Sequence, residues 1–325
     1  MATILTGLAF GASLVASGVY QPSVILGQLS LDNWHMIQAF LTATATSSIL
    51  VTLAQSLNYA TFKPRSYSPI GLFARYDGNI LGGMLLGHGM ALSGACPGTV
   101  LSQVALGIRS GYFALAGAAA GGVVYSGFVK PYLAGREKAP APKGEKLGVH
   151  EVLGVSRTVG FVGLEALLIG VVGATVVFTS LGPEAKIHPV LGGVLIGGVT
   201  QGLSILSRKS LIGISTSFEE VGEWFWSLVR GEGWPKYSSI VFSAAVVAGS
   251  WLMARFVPEL GEVVGVEVAP ASAALGGALM VIGSRIAGGC TSGHGVSGMS
   301  LLSVSSAVTI GVAVAWGCVA VKFLL

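Results

Sequence analysis

Two of the three cysteines in this chain stand in matching surroundings. Cys96 lies in GGMLLGHGMALSGACPGTV and Cys290 in GGALMVIGSRIAGGCTSGHGV. Shifting the first stretch by 194 positions superposes Gly82 on Gly276, Gly83 on Gly277, Gly89 on Gly283, Gly94 on Gly288 and Cys96 on Cys290. A thiol offers a weak S–H donor and a polarizable surface, which suit a soft, sulfur-rich anion better than a hard cation. Cys96-Pro97-Gly98 reads as a helix beginning, because proline in the first turn gives up no needed N–H. Gly289, Cys290, Thr291 and Ser292 offer hydroxyls and backbone amides at the equivalent place. A helix N-terminus presents unpaired N–H groups and about half a positive charge, so two such termini can hold an anion without lysine or arginine.

The other polar residues near these motifs carry competing readings. His294 follows Cys290 by four residues, which on a helix puts both on one face. With His88 and Cys96 the two could form a soft tetrahedral metal site, but no CxxC or HxxxH spacing supports one, so neither a metal nor a cofactor is expected. Arg285 is the one arginine deep in an apolar segment, where it either attracts an anion or snorkels to an interface. Gln201 and Gln103 lie near chain breaks and bond either substrate or a neighbouring helix. Glu165 has no assigned role, and Cys318 reads as a small buried hydrophobe.

These residues are embedded in a membrane chain. Of 325 residues, 52% are hydrophobic, 10% are charged and 49 are glycine, with a mean hydropathy of +0.77. Soluble domains carry roughly 25% charged residues. Small residues let membrane helices approach closely. The first apolar run begins at Ala2 with no basic region before it, so it reads as a membrane segment rather than a cleaved signal. The net charge of +4 is borne by loops, so it reports topology and no nucleic-acid partner is expected. The cysteines do not read as a disulfide framework.

A spanning helix needs about 20 mostly apolar residues. Nine candidates cover 3–20, 35–57, 80–95, 111–129, 152–179, 189–206, 238–256, 272–289 and 302–324. Four are glycine-rich and each is followed by a short apolar piece, at 23–29, 98–106, 209–216 and 292–301. Pieces of that length read as half-membrane helices, which implies a protein-lined central constriction. The expected fold is therefore an all-α polytopic membrane protein with about nine transmembrane helices and four half-helices. The division is 1–133 as first half, 134–151 as linker, 152–180 as an inserted span and 181–325 as second half. An odd number of crossings separates the copies, so the repeat is expected to be inverted. Lys63, Arg65, Arg75, Lys130, Arg136, Lys138, Lys143, Lys146, Arg208, Lys209, Arg230 and Lys236 then fall on the cytoplasmic side. The N-terminus is expected there and the C-terminus outside, in a plasma membrane. Trp224, Trp226 and Trp234 read as an interfacial belt beside a loop.

The motifs at 82–98 and 284–298, with those at 7–27 and 191–224, resemble the YeeE/YedE sulfur-transport family over nearly the whole chain. The resemblance implies an inverted-repeat protein whose half-helices meet at a narrow centre, and uptake of sulfur compounds, thiosulfate in particular. It maps the family's central cysteines onto Cys96 and Cys290. Some relatives carry a further cysteine near the first break, where this chain has Tyr20-Gln21-Pro22. The expected function is a thiosulfate permease working by transient S–H hydrogen bonds. The pathway residues are Cys96, Cys290, His88, Gly94, Pro97, Gly98, Gly289, Thr291, Ser292, His294, Arg285 and Gln201. The alternatives are a membrane sulfurtransferase using a cysteine persulfide and a soft-metal transporter. A cytosolic sulfur-carrier or sulfurtransferase protein is a candidate partner for the basic loops.

Overall fold

A computed structural model describes residues 1–136 and 144–324. Lys138, Pro140, Pro142 and Lys143 of the expected linker lie outside the described residues. Among those residues the regular structure is helical, apart from one isolated bridge between Gly148 and Ser303. In chain order the helices are α1 (Ala2–Ala16), α2 (Pro22–Ser30), α3 (His35–Ser56), α4 (Asp77–Ser93), α5 (Thr99–Ala105), α6 (Arg109–Ala134) and α7 (Val149–Leu153). They continue with α8 (Arg157–Phe178), α9 (Pro189–Arg208), α10 (Ser215–Arg230), α11 (Ser238–Phe256), α12 (Pro270–Ile286), α13 (Thr291–Leu301) and α14 (Val304–Leu324).

Six of them (α3, α6, α8, α9, α11 and α14) are long and apolar enough to cross a bilayer, and α12 with α13 makes a seventh bent by 44°. Helices α1 and α4 are shorter, at 15 and 17 residues. Glycine in the left-handed region stops both, Gly18 at φ +72° and Gly94 at φ +58°, a conformation other residues adopt only with strain. Helix α8 buries only Leu168 and Thr175, as expected of a helix surrounded by lipid, and its Glu165 accepts a hydrogen bond from Ser48 on α3.

Glycine sets how closely the helices pack. A methyl group on Gly82 would meet Gly283, and one on Gly89 would meet Gly276 and Met280. The relation is reciprocal, since Gly276 faces Gly89 and Gly283 faces Gly82. Gly277 of α12 lies against the backbone of Ala114 and Ala118 on α6, while Gly83 of α4 lies against Thr309 on α14. Helix α1 packs on α11 and α9 on α3 through the same device, at Gly7 and Gly11 on one side and Gly193 and Gly197 on the other. Close backbone approach of this kind replaces the hydrophobic driving force that lipid cannot supply.

The third expected half-helix needs correction. Residues 209–216 do not form one: Lys209 turns at φ +50° and 210–214 run without helix. The Ile212 N–H donates to Gln201 and its carbonyl accepts from Ser297, so side chains satisfy the backbone there. The helix begins instead at Ser215 and continues to Arg230, carrying Trp224 and Trp226 of the expected interfacial belt. Trp226 donates to the Val123 carbonyl of α6, while Trp224 packs on Trp234 at 5.2 Å between ring centroids.

The segment 60–76 between α3 and α4 is non-helical and held by Asp77. Its carboxylate accepts the N–H groups of Ile70, Leu72 and Phe73. Asp77→Ala is expected to leave these donors unsatisfied and cost about 1–3 kcal/mol locally. Hydrogen exchange of 68–76 reads this out; unchanged protection would contradict it.

Candidate functional site

The two cysteines are buried at separate breaks, with Ile214 of the 209–214 stretch close to both. Cys96 follows the left-handed Gly94, in the turn that leads into α5. Its Sγ accepts from the Thr99 N–H at 3.5 Å and the Thr99 hydroxyl at 3.3 Å. With those bonds accepted, its own S–H remains available to donate. A methyl group on Gly98 would sit 3.7 Å from Ile214 Cδ1, 3.9 Å from Cys96 Sγ and 4.0 Å from Phe10. Gly98 therefore keeps open a small space that Cys96 and Ile214 share.

Cys290 is fully buried and caps the start of α13. The backbone N–H groups of Ile214, Gly293 and Ser215 lie near its sulfur. The Ser292 hydroxyl lies 3.3 Å from Sγ. Ser215 is the first residue of α10 and Thr291 the first of α13, so two helix starts converge on one sulfur. Clustered amides of this kind form an anion-binding concavity. The environment of Cys96 is poorer, because α5 has only 7 residues and the macrodipole of so short a helix is small.

The remaining sequence candidates separate. His294 is buried and holds its own break: Nε2 donates to the Ala287 carbonyl at 3.1 Å, and Nδ1 lies 2.9 Å from the Ser306 hydroxyl. With both ring nitrogens engaged, it has no lone pair left for a metal. Among the described residues no group of three His, Cys, Asp or Glu side chains could hold an ion. Gly289 lies against the His294 ring. Gln201 bonds Ile212 and Ser297, and so positions the 210–214 stretch that carries Ile214. Thr291 is buried with its hydroxyl unpartnered, on an apolar cavity of about 140 Å³ that also borders Gln28, Phe40 and Met90. Gly94 lies against Pro22 and Val268, and Pro97 sits in the turn between α4 and α5. His88 lines a different, outward pocket with Leu85 and Trp316, to which neither cysteine contributes.

Arg285 is neutralised. Its guanidinium pairs with Glu219, which also takes Lys130 at 2.6 Å, and reaches Ser215 and Thr216 at 3.4 Å. Glu219→Gln would leave Arg285 without its counter-charge among largely buried groups. We expect a loss of about 3 kcal/mol, read as a lower melting temperature of the purified protein; an unchanged melt would show the pair to be inert.

Two residues that sequence reasoning did not assign belong to this region. Ile214 supplies an amide to Cys290 and a side chain towards Cys96, a position hidden because 209–216 read as helix. Arg65, taken only as a loop charge, donates from Nη1 to the Gly288 carbonyl at 2.9 Å. The loop ends flank these breaks. Tyr20 donates to the carbonyls of Leu260 and Glu262, and Gln21 binds Val264, covering the side nearer Cys96.

A family model described as "Sulphur transport" matches residues 16–320. The chain is also similar to the thiosulfate transporter TsuA of Spirochaeta thermophila. The two are 27% identical over 322 residues, covering 93% of this chain and 92% of that protein.

Proposed function

Because this chain belongs to the sulphur transport family, and is thus a membrane transporter rather than an enzyme, we propose that it takes up thiosulfate or a closely related small sulfur anion. The substrate passes Cys96, the Ile214 constriction and Cys290 in turn. The observation that carries the reading is the buried Cys290 thiol itself, 3.3 Å from the Ser292 hydroxyl at the start of α13 and with the Ile214, Ser215 and Gly293 amides nearby. Donors so placed match a negatively charged sulfur or oxygen better than any cation. Thiol S–H groups hand the anion on by hydrogen bonds, and no covalent bond to sulfur forms. A mixed disulfide or persulfide would have to be broken again at every turnover, which is slow without an attacking thiolate.

The architecture proposed with it is an inverted repeat of nine crossings, with halves at 1–133 and 181–325 and an inserted span at 152–180. The reciprocal contacts of Gly82 with Gly283 and Gly89 with Gly276 support it, because a two-fold axis in the membrane plane makes equivalent residues trade partners. The basic loops face the cytoplasm of a plasma membrane, with the N-terminus on that side and the C-terminus outside. A cytosolic sulfur-carrier or sulfurtransferase protein receives the anion there.

Expression in a bacterial host that lacks its own uptake of sulfate and thiosulfate tests the function. Growth on thiosulfate as sole sulfur source supports the proposal, and absence of growth despite folded protein in the membrane removes it. Intact-mass measurement on protein taken from turnover should show unmodified cysteines; a stable sulfur adduct on Cys96 or Cys290 would replace hydrogen-bonded passage with covalent relay.

A further inference from the structure

Arg65 is the charged side chain that reaches the Cys290 break. Its Nη1 donates to the Gly288 carbonyl at 2.9 Å. A methyl group on Gly289 would sit 3.0 Å from Nη1, and one on Gly293 would sit 3.2 Å from Nη2 and 3.9 Å from Cys290 Sγ. The guanidinium therefore lies across the two glycines that flank Cys290, with the thiol and the cation bordering the same small space. Its backbone is fixed from the far side, since the hydroxyls of Ser303 and Ser305 both donate to the Arg65 carbonyl, at 3.3 and 3.0 Å. Neighbouring Ser68 is held as well: its carbonyl accepts from the Gly78 N–H of α4 at 3.0 Å, its N–H donates to Asn79 at 2.9 Å and its hydroxyl to the Ile286 carbonyl at 2.5 Å.

Among the described residues no carboxylate neutralises this charge. Every ion pair among the described residues is made by Arg75, Lys130, Lys186, Arg230 or Arg285, and Arg65 makes none. The side chain is half-buried, so it is reachable from solvent while touching the break. A guanidinium carries five N–H donors in a planar fork that matches two oxygens of an oxyanion. One of the five is engaged by Gly288.

We propose that Arg65 is the exit-side anion-binding residue of the pathway, where its free donors take the oxyanion end of the substrate as it leaves Cys290, and that between substrates the same side chain covers the Cys290 break. The inference rests on the transport reading above and adds to it a cationic site that the thiols alone do not provide. The ligand class is a small divalent sulfur oxyanion. The surrounding glycines are required because any side chain at Gly289 or Gly293 would occupy the place of the guanidinium.

Two measurements test it separately from the transport reading. In proteoliposomes, Arg65→Gln is expected to raise the KM for labelled thiosulfate about tenfold, as loss of a charge-assisted bond would, with Arg65→Lys intermediate because it keeps the charge but not the fork. A merely structural role would lower the amount of folded, active protein and leave KM unchanged, and that result overturns the proposal. On the purified wild type, phenylglyoxal modification of Arg65, followed by peptide mass spectrometry, is expected to be slowed by thiosulfate and not by equal chloride. Unprotected modification overturns it too. If wild type moves no thiosulfate while Arg65 is still protected, the transport reading falls and the anion site stands.

Discussion

Proteoliposomes holding Cys290→Ala protein are expected to take up thiosulfate at about a tenth to a hundredth of the unaltered rate. A hydrogen bond to a charged group contributes about 1.5–3 kcal/mol, which corresponds to roughly that range. Alanine removes the S–H and leaves the Ile214, Ser215 and Gly293 amides around an apolar methyl group. Cys290→Ser is expected to lose less, because a hydroxyl still donates to the anion and can still bond Ser292. Persulfide or disulfide chemistry demands the opposite, since serine cannot replace sulfur in either. Equal loss in both variants, with both folded, would contradict hydrogen-bonded passage. Cys96→Ala is expected to be milder than Cys290→Ala, as the helix that follows Cys96 has only 7 residues and a small macrodipole.

Gly277→Ala is expected to be among the most destabilising small changes in the protein. The added methyl group would overlap the Ala114 carbonyl oxygen and crowd the Ala118 backbone. Neither is the tip of a side chain that could swing away, so α6 and α12 must separate. Alanine is the better helix former by about 1 kcal/mol, yet overpacking that moves backbones costs about 1–3 kcal/mol or more. Because α12 leads into the Cys290 break, the shift would also reach the site. Gly173→Ala on α8 is the control, with open space around its position. Thermal melting of the two variants in detergent should show a drop for Gly277→Ala and none for Gly173→Ala; equal melts would remove the close-packing argument.

The sequence carried the parts of the site that depend on local chemistry. Duplicated glycines around Cys96 and Cys290 located both breaks, and Cys96-Pro97-Gly98 announced the helix that starts at Thr99 by rules that act within a few residues. It did not reveal what depends on partners far along the chain. Arg285 and Arg65 look alike as isolated charges. One is neutralised by Glu219 on α10; the other reaches Gly288 and has no carboxylate partner among the described residues. His88 and His294 are likewise equivalent on paper, but the first lines an outward pocket and the second bonds Ser306 and Ala287. Residues 209–216 were apolar enough to suggest a short helix, and only the side chains of Gln201 and Ser297 make the non-helical path favourable. Helix α10 escaped notice because its glutamates and tryptophans resemble a loop at an interface, although Glu219 and Glu220 are buried by ion pairing and by bonds to Ser239.

The most direct test of the account is uptake of labelled thiosulfate into liposomes containing only this purified chain. Saturable uptake, competed by unlabelled thiosulfate and weakly or not at all by sulfate, is the expected result, because a sulfate ion lacks the terminal sulfur that the thiols would grip. No uptake above empty liposomes, from protein that melts cooperatively and elutes as a single species, would contradict the claim that this chain passes the anion.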